Sequence, residues 1–66
     1  MYSNLIKLRK ERGFSQQQMA DLVGCSVGSY NRNELGKRNF KINEMEIIKD
    51  LFKLPMDEIF SKYKSN

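Results

Sequence analysis

Two neighbouring polar residues, Asn31 and Arg32, have side chains that hydrogen-bond well to the edges of nucleic-acid bases. An asparagine amide pairs with adenine through two hydrogen bonds, and an arginine guanidinium pairs with guanine in the same way. Val27 offers an apolar surface that suits the methyl group of thymine. The alternative is that these are ordinary surface residues of a helix. The candidate base-reading set is Ser26, Val27, Gly28, Asn31 and Arg32.

Residues suited to phosphate binding lie on both sides of this set in the sequence. The first turn of a helix binds anions through free backbone N–H groups, and Gln16 follows directly after a predicted helix cap. Segment 36–41 is basic and has no helical apolar pattern, so it predicts a loop that could equally serve solubility alone. The candidate phosphate-binding residues from this reasoning are Ser15, Gln16, Gln17, Lys37, Arg38, Asn39 and Lys41.

The charge distribution favours an anionic partner. The 66-residue chain has 12 basic and 8 acidic side chains, which gives a net charge of +4. Between positions 7 and 41 there are eight basic residues against three acidic ones, and the other five acidic residues come later. A basic face attracts the phosphate backbone and releases its counterions. An ordinary solvated basic surface explains the charge equally well.

The element that must position the phosphate-binding glutamines is a short helix from about residue 16 to 23. Ser15 followed by Gln18 matches a capping box. Met19, Ala20 and Val23 then form one apolar stripe at helical spacing. This stripe predicts the buried face of the helix.

The element that must position the base-reading set is a second short helix after a tight turn. Gly24 falls where a helix end requires positive φ, and Ser26 is a second cap candidate. The second helix is predicted from Val27 to about Leu35 and ends at Gly36. Tyr30 points to the opposite, core side, with its hydroxyl reaching the rim or a phosphate. Together the two segments predict a helix-turn-helix.

Three further helices are predicted around this unit. The first begins near Ser3 as its cap and continues to Arg12, with Gly13 ending it. Another runs from about residue 42 to 52, and Pro55 marks the first turn of a short fifth helix. The fold class is therefore all-α, a five-helix bundle, with a frayed polar tail at 61–66. The buried stripe predicted for the fourth helix is Ile42, Met45, Ile48 (or Ile47), Leu51 and Phe52.

Composition excludes several classes of function. The length predicts one domain over 1–66, and a single cysteine with no histidine predicts no disulfide, no metal site and no cofactor. Cys25 is expected to be a small buried residue of the turn, with a redox-sensing thiol as the alternative. The acidic residues fall on predicted solvent faces, and no phosphate-binding loop is present, so we expect no enzyme and no small-molecule substrate. Neither a signal peptide nor a membrane span is predicted, which favours the cytoplasm.

The sequence resembles the Cro and phage-repressor type of helix-turn-helix domain, also called the XRE type. The resemblance covers about residues 5–60 and implies a lambda-repressor-like fold. Gly28 and Asn33 depart from it, since a bulkier residue and an apolar residue are common there. The residues that carry it are LIKLRKERGFSQQQMADLVGCS from Leu5, then Arg32, Glu34, the GKR at 36–38 and the MDEIF at 56–60.

The resemblance implies roles for three residues. It places Arg9 and Glu34 together as an ion pair between the first and third helices. Arg9 would fix the angle of the third helix and also keep one edge near the phosphates. The position of Gln16 commonly contacts a phosphate oxygen in this family.

The function expected from these observations is that of a phage-type, Cro-like repressor that occupies a palindromic operator in double-stranded DNA. A weak homodimer is expected, through a dimer patch that could equally be core packing. One alternative is a DNA-binding antitoxin or restriction-control regulator that holds a protein partner. Another is an interaction module that has lost DNA binding. The expected dimer patch is Leu54, Pro55, Met56 and Phe60.

Overall fold

A computed structural model describes residues 1–61 as five helices, and no strand occurs among these residues. This confirms the all-α, five-helix expectation. Residues 62–66, most of the tail predicted to fray, lie outside the described part of the chain. The helices are α1 (Ser3–Glu11), α2 (Gln16–Val23), α3 (Val27–Leu35), α4 (Ile42–Phe52) and α5 (Met56–Phe60).

The core forms where α2 and α3 pack on each other and on the remaining helices. Helix α1 packs on α5 and α3, and α4 packs on α2 and α5. The apolar stripe of α2 is completely inside, since Met19 and Ala20 have no exposed surface and Val23 is 8% exposed. The other buried apolar residues are Tyr2, Leu5, Tyr30, Phe40, Ile48, Phe52 and Ile59.

An aromatic cluster holds the loop between α3 and α4 against the body. The Phe40 ring lies 5.4 Å from Tyr2, 5.2 Å from Phe60 and 6.2 Å from Tyr30, all in edge-to-face arrangements. Such pairs contribute about 0.5–1.5 kcal/mol each beyond their buried area. The basic loop is therefore fixed near its end at Phe40, and its charged residues project from a defined backbone.

Helix α4 turns most of the predicted stripe inward, since Ile48 and Phe52 are buried, but its first residue faces solvent. Ile42, expected in the buried stripe, is 72% exposed, whereas Glu44 is only 3% exposed. The Glu44 carboxylate accepts a hydrogen bond from the backbone N–H of Lys41 at 2.9 Å and lies 3.7 Å from Arg38. These partners stabilise a carboxylate at the inward position, and Ile42, in the first turn, is rotated toward solvent.

Two polar residues of α3 are buried. Glu34 is 1% exposed, so the expectation that the acidic residues lie on solvent faces is wrong for Glu34 as it is for Glu44. Asn33 has no exposed surface, and its amide oxygen and nitrogen lack hydrogen-bond partners among the described residues. An unsatisfied buried polar group costs about 1–3 kcal/mol, so Asn33 weakens the packing of α3.

The first helix differs from its prediction at both ends. Ser3 is its first helical residue, and Tyr2 occupies the cap position without capping the helix through its side chain. The Tyr2 backbone N–H instead donates to the Glu34 carbonyl at 2.8 Å, which attaches the start of the chain to α3. The helix ends at Glu11, one residue before the predicted Arg12.

Candidate nucleic-acid interface

The two helices that carry most of the candidate site are set by local sequence signals. The Ser15 hydroxyl accepts a hydrogen bond from the Gln18 backbone N–H at 3.0 Å, and the Gln18 side chain accepts from the Ser15 N–H at 2.8 Å. This is the predicted capping box. Gly24 ends α2 with φ +82°, and Ser26 caps α3 through the Ser29 N–H at 3.1 Å. Helices α2 and α3 are thus joined by a tight turn over residues 24–26.

The base-reading set lies on one exposed face of α3. Ser26, Gly28, Asn31 and Arg32 are exposed, and Val27 is an apolar residue with 40% of its surface accessible. A Cβ at Gly28 would lie 3.7 Å from the Arg32 guanidinium, an ordinary contact distance. The fold thus has room for a side chain at position 28, and the glycine leaves this part of the face flat. No described residue covers the face.

A buried ion pair fixes α3 to α1. The Arg9 Nε donates to Glu34 Oε2 at 2.6 Å, and Nη2 donates to Oε1 at 3.3 Å. The remaining Nη1 donates to the Phe14 carbonyl at 3.0 Å. The Arg9 side chain is 9% exposed and the Glu34 side chain 2%. The structure thus brings these two residues together, but it turns Arg9 inward, so the expected contact of Arg9 with phosphate does not fit its placement.

Gln16 connects the start of α2 to α3. Its Nε2 donates to Glu34 Oε1 at 2.9 Å and to Asn31 Oδ1 at 3.0 Å. From the sequence, this side chain was expected to contact a phosphate, and neither of these two hydrogen bonds was predicted. No local signal could have indicated them, because the partners are 15 and 18 residues away along the chain.

The other phosphate-binding candidates form two groups. Lys37, Asn39 and Lys41 are exposed on the basic loop, while Arg38 is half-buried beside Glu44. Near the start of α2, Ser15 is occupied as a cap and the Gln17 amide donates to Asp21 at 2.9 Å. On the loop, Lys37 and Lys41 are therefore more accessible to a phosphate than Arg38, a difference that the sequence did not indicate. The backbone N–H of Lys37 donates to the Arg32 carbonyl at 2.9 Å, which places the start of the loop at the end of α3.

Comparison with known families agrees with this geometry. The model of the helix-turn-helix family matches residues 5–59, which include all of α2, α3 and α4 and most of α1 and α5. This chain belongs to the helix-turn-helix family. The resemblance to its XRE type, inferred from the residues, is confirmed. Membership implies double-stranded DNA as the partner, because such domains place their second helix in the major groove.

One curated relative is the HTH-type transcriptional regulator AnsR of Bacillus subtilis (strain 168). It is 33% identical over 60 residues, which cover 91% of this chain and 52% of the relative. The helix-turn-helix chain thus spans about half the length of that curated relative. No solved structure matches this chain.

Two titratable side chains of this helix-turn-helix have raised pKa values. Cys25 is half-buried against the core, and burial together with the nearby Glu44 carboxylate raises its pKa, which disfavours the reactive thiolate. Tyr30 has no exposed surface, and burial, followed by the neighbouring Glu34, raises the pKa of its hydroxyl. That hydroxyl is inside the protein, so it does not reach the rim or a phosphate as expected.

The expected dimer patch is split between surface and core. Pro55 is exposed, Leu54 and Met56 are half-buried, and Phe60 belongs to the aromatic cluster at 5.9 Å from the Tyr2 ring. In the part of this helix-turn-helix chain that the structure describes, no helix is long and apolar enough to cross a bilayer. Within the same residues, no three metal-ligating side chains of His, Cys, Asp or Glu type come together.

Proposed function

We propose that this chain is a sequence-specific transcriptional regulator that binds double-stranded DNA with α3 in the major groove. The observation that carries the proposal is the exposed polar face of α3, which has the basic loop at its end and the Arg9–Glu34 pair behind it. Asn31 and Arg32 provide hydrogen-bonding groups for base edges, and Val27 provides an apolar contact. The AnsR relative, a transcriptional regulator by name, supports the regulatory role.

The same proposal includes how the protein would act. One domain of this size contacts few base pairs, so specificity requires two copies on a palindromic operator about one helical turn apart. We propose a phage-type, Cro-like repressor that acts by occupying its operator and that self-associates weakly without DNA. The exposed Pro55 and the half-buried Leu54 and Met56 are the residues offered for that contact.

Selection from a random duplex library at about 150 mM salt tests the proposal directly. We expect an enriched inverted repeat with half-sites about one turn apart. If no sequence is enriched, the base-reading role of α3 is wrong, and the alternative of a regulator held by a protein partner becomes the leading candidate. Sedimentation without DNA is expected to show monomer at nanomolar concentration, and an intact dimer there would contradict weak association.

The salt dependence of binding separates phosphate contacts from base contacts. Lys37→Ala is expected to make the negative slope of the logarithm of the binding constant against the logarithm of salt concentration shallower by about 1, because one phosphate contact is lost. Arg32→Ala is expected to reduce the preference for the selected sequence over unrelated duplex by about tenfold. Lys7→Ala is the matched control, because Lys7 is an exposed lysine on α1 and is not among the candidate DNA-contacting residues. An unchanged slope for Lys37→Ala would remove the loop from the interface.

A further inference from the structure

The orientation of the Gln16 amide follows from the chemistry of its partner. Glu34 is a carboxylate paired with Arg9, and a carboxylate accepts hydrogen bonds but donates none. The Gln16 group that faces Glu34 Oε1 at 2.9 Å must therefore be the NH2 nitrogen. The same nitrogen has a second hydrogen, and it points to Asn31 at 3.0 Å.

The orientation of the Asn31 amide then follows from that of Gln16. Only an oxygen can accept the second Gln16 hydrogen, so Oδ1 of Asn31 faces Gln16 and Nδ2 points away from α2. Asn31 is exposed, and its Nδ2 donates to no residue in the described part of the chain. A free asparagine can present either end of its amide to a base, whereas this one is restricted to a single orientation.

We propose that Gln16 and Glu34 are positioning residues that make Asn31 present its NH2 group, as a hydrogen-bond donor, to the DNA. This inference rests on the proposed function, since it requires α3 in the major groove. The preferred base is guanine, which presents two adjacent acceptors, N7 and O6, and no donor in that groove. The adenine pairing expected from the residue type alone needs Oδ1 to face the base, and here Oδ1 faces Gln16.

The charge that sets this orientation comes from the core. Arg9 and Glu34 lie beneath α3, and Gln16 extends their polarity to the surface through two successive hydrogen bonds. A change of Gln16 therefore alters base preference without removing any group that touches a base. This distinguishes a positioning residue from a general contact, whose loss weakens binding to all sequences alike.

The experiment compares selected duplex sequences for four chains: wild type, Asn31→Ala, Gln16→Ala and the matched control Asp21→Ala. Asp21 is also on α2, but it is exposed and its carboxylate pairs with a residue of its own helix. The position that loses its preference in Asn31→Ala is the one that Asn31 contacts. We expect guanine there in the wild type, a loss of about fivefold or more in that preference in Gln16→Ala, and no change in Asp21→Ala.

A second variant leaves Gln16 unchanged and replaces the outward hydrogen-bond donor at position 31 with an acceptor. Asn31→Asp keeps an acceptor for the Gln16 amide but presents an oxygen outward, so the preferred base is expected to change from guanine to cytosine, which offers its N4 amino group. Thermal unfolding confirms that each variant is folded at the selection temperature. Adenine at the wild-type position, or guanine preference retained in Gln16→Ala, overturns the positioning role. Absence of any selected sequence in the wild type overturns the proposed function itself.

Discussion

Replacing Glu34 with glutamine tests whether the buried ion pair sets the stability of the domain. The substitution keeps the shape of the side chain but removes the charge opposite Arg9, whose Nε lies 2.6 Å from Glu34 Oε2. The Arg9 side chain is 9% exposed, so water cannot replace the lost partner. Only the Phe14 carbonyl remains as a full acceptor, at 3.0 Å from Nη1.

The expected loss in the free energy of unfolding is a large part of the stability of the domain. Removing one partner of a buried pair costs about 3–5 kcal/mol, because the remaining charge is left uncompensated. We expect the lower end, about 3 kcal/mol, since a glutamine oxygen can still accept one hydrogen bond. A chain of this length has about 3–10 kcal/mol of stability in all. The melting temperature is therefore expected to fall by about 12–24 °C.

Thermal and urea unfolding followed by circular dichroism at 222 nm measure this change. Glu46→Gln is the control, because Glu46 is exposed on α4, and it is expected to change stability by less than about 0.5 kcal/mol. The double variant Arg9→Met/Glu34→Leu is expected to recover most of the loss, since apolar residues can replace a buried pair at little cost. If Glu34→Gln melts within about 2 °C of the wild type, the reasoning on uncompensated charge is refuted.

Three further predictions concern backbone strain, burial and capping. Lys53 ends α4 with φ +56°, so Lys53→Gly is expected to raise stability by about 0.5–1 kcal/mol in urea unfolding. The pKa of Tyr30 is raised in the folded state, so the stability that its neutral hydroxyl provides is present below the unfolded pKa near 10 and is lost as pH rises. Tyr30→Phe is therefore expected to be nearly neutral at pH 7 and to unfold less readily than the wild type at alkaline pH. Ser15→Ala removes the cap of α2 and is expected to lower stability by about 1 kcal/mol in thermal unfolding.

Each of these predictions has a control or an opposing result. Lys49→Gly, inside α4, is expected to lower stability by about 1 kcal/mol, so equal effects at 49 and 53 would contradict the strain argument. A Tyr30→Phe variant as sensitive to alkali as the wild type would contradict the burial argument. Ser3→Ala is the control for Ser15→Ala, because Ser3 caps no helix.

The capping signals of α2 and α3 were predicted correctly from the sequence, whereas the predicted cap of α1, Ser3, was wrong. Ser15 and Ser26 cap α2 and α3 as their spacing predicts, and Gly24 and Gly36 end these helices with positive φ. These signals act over three or four residues, since a side chain pairs with a backbone group in its own turn. The stripe on α2 was also correct, because every one of its apolar residues packs on a neighbouring helix.

The errors concern which face of a helix its neighbours cover. Ile42 was assigned to the core by its helical spacing, yet it is exposed, whereas Glu44 is buried beside Lys41 and Arg38. Asn33 and Glu34 are inside because α3 packs with that face against its neighbours, whatever the polarity of those residues. Amphipathic spacing ranks the faces of an isolated helix, but the neighbouring helices decide which face is covered.

The sequence by itself determined the five helices, the exposed basic loop and the type of side chain on α3, since these depend on spacing, capping and charge within short segments. Only the tertiary structure decided what those side chains can do. It turned Arg9 inward to Glu34, occupied Gln16 between two helices and restricted the amide of Asn31 to one orientation. The physical reason is that a hydrogen bond depends on the direction of donor and acceptor, and that direction exists only once α1, α2 and α3 are packed together.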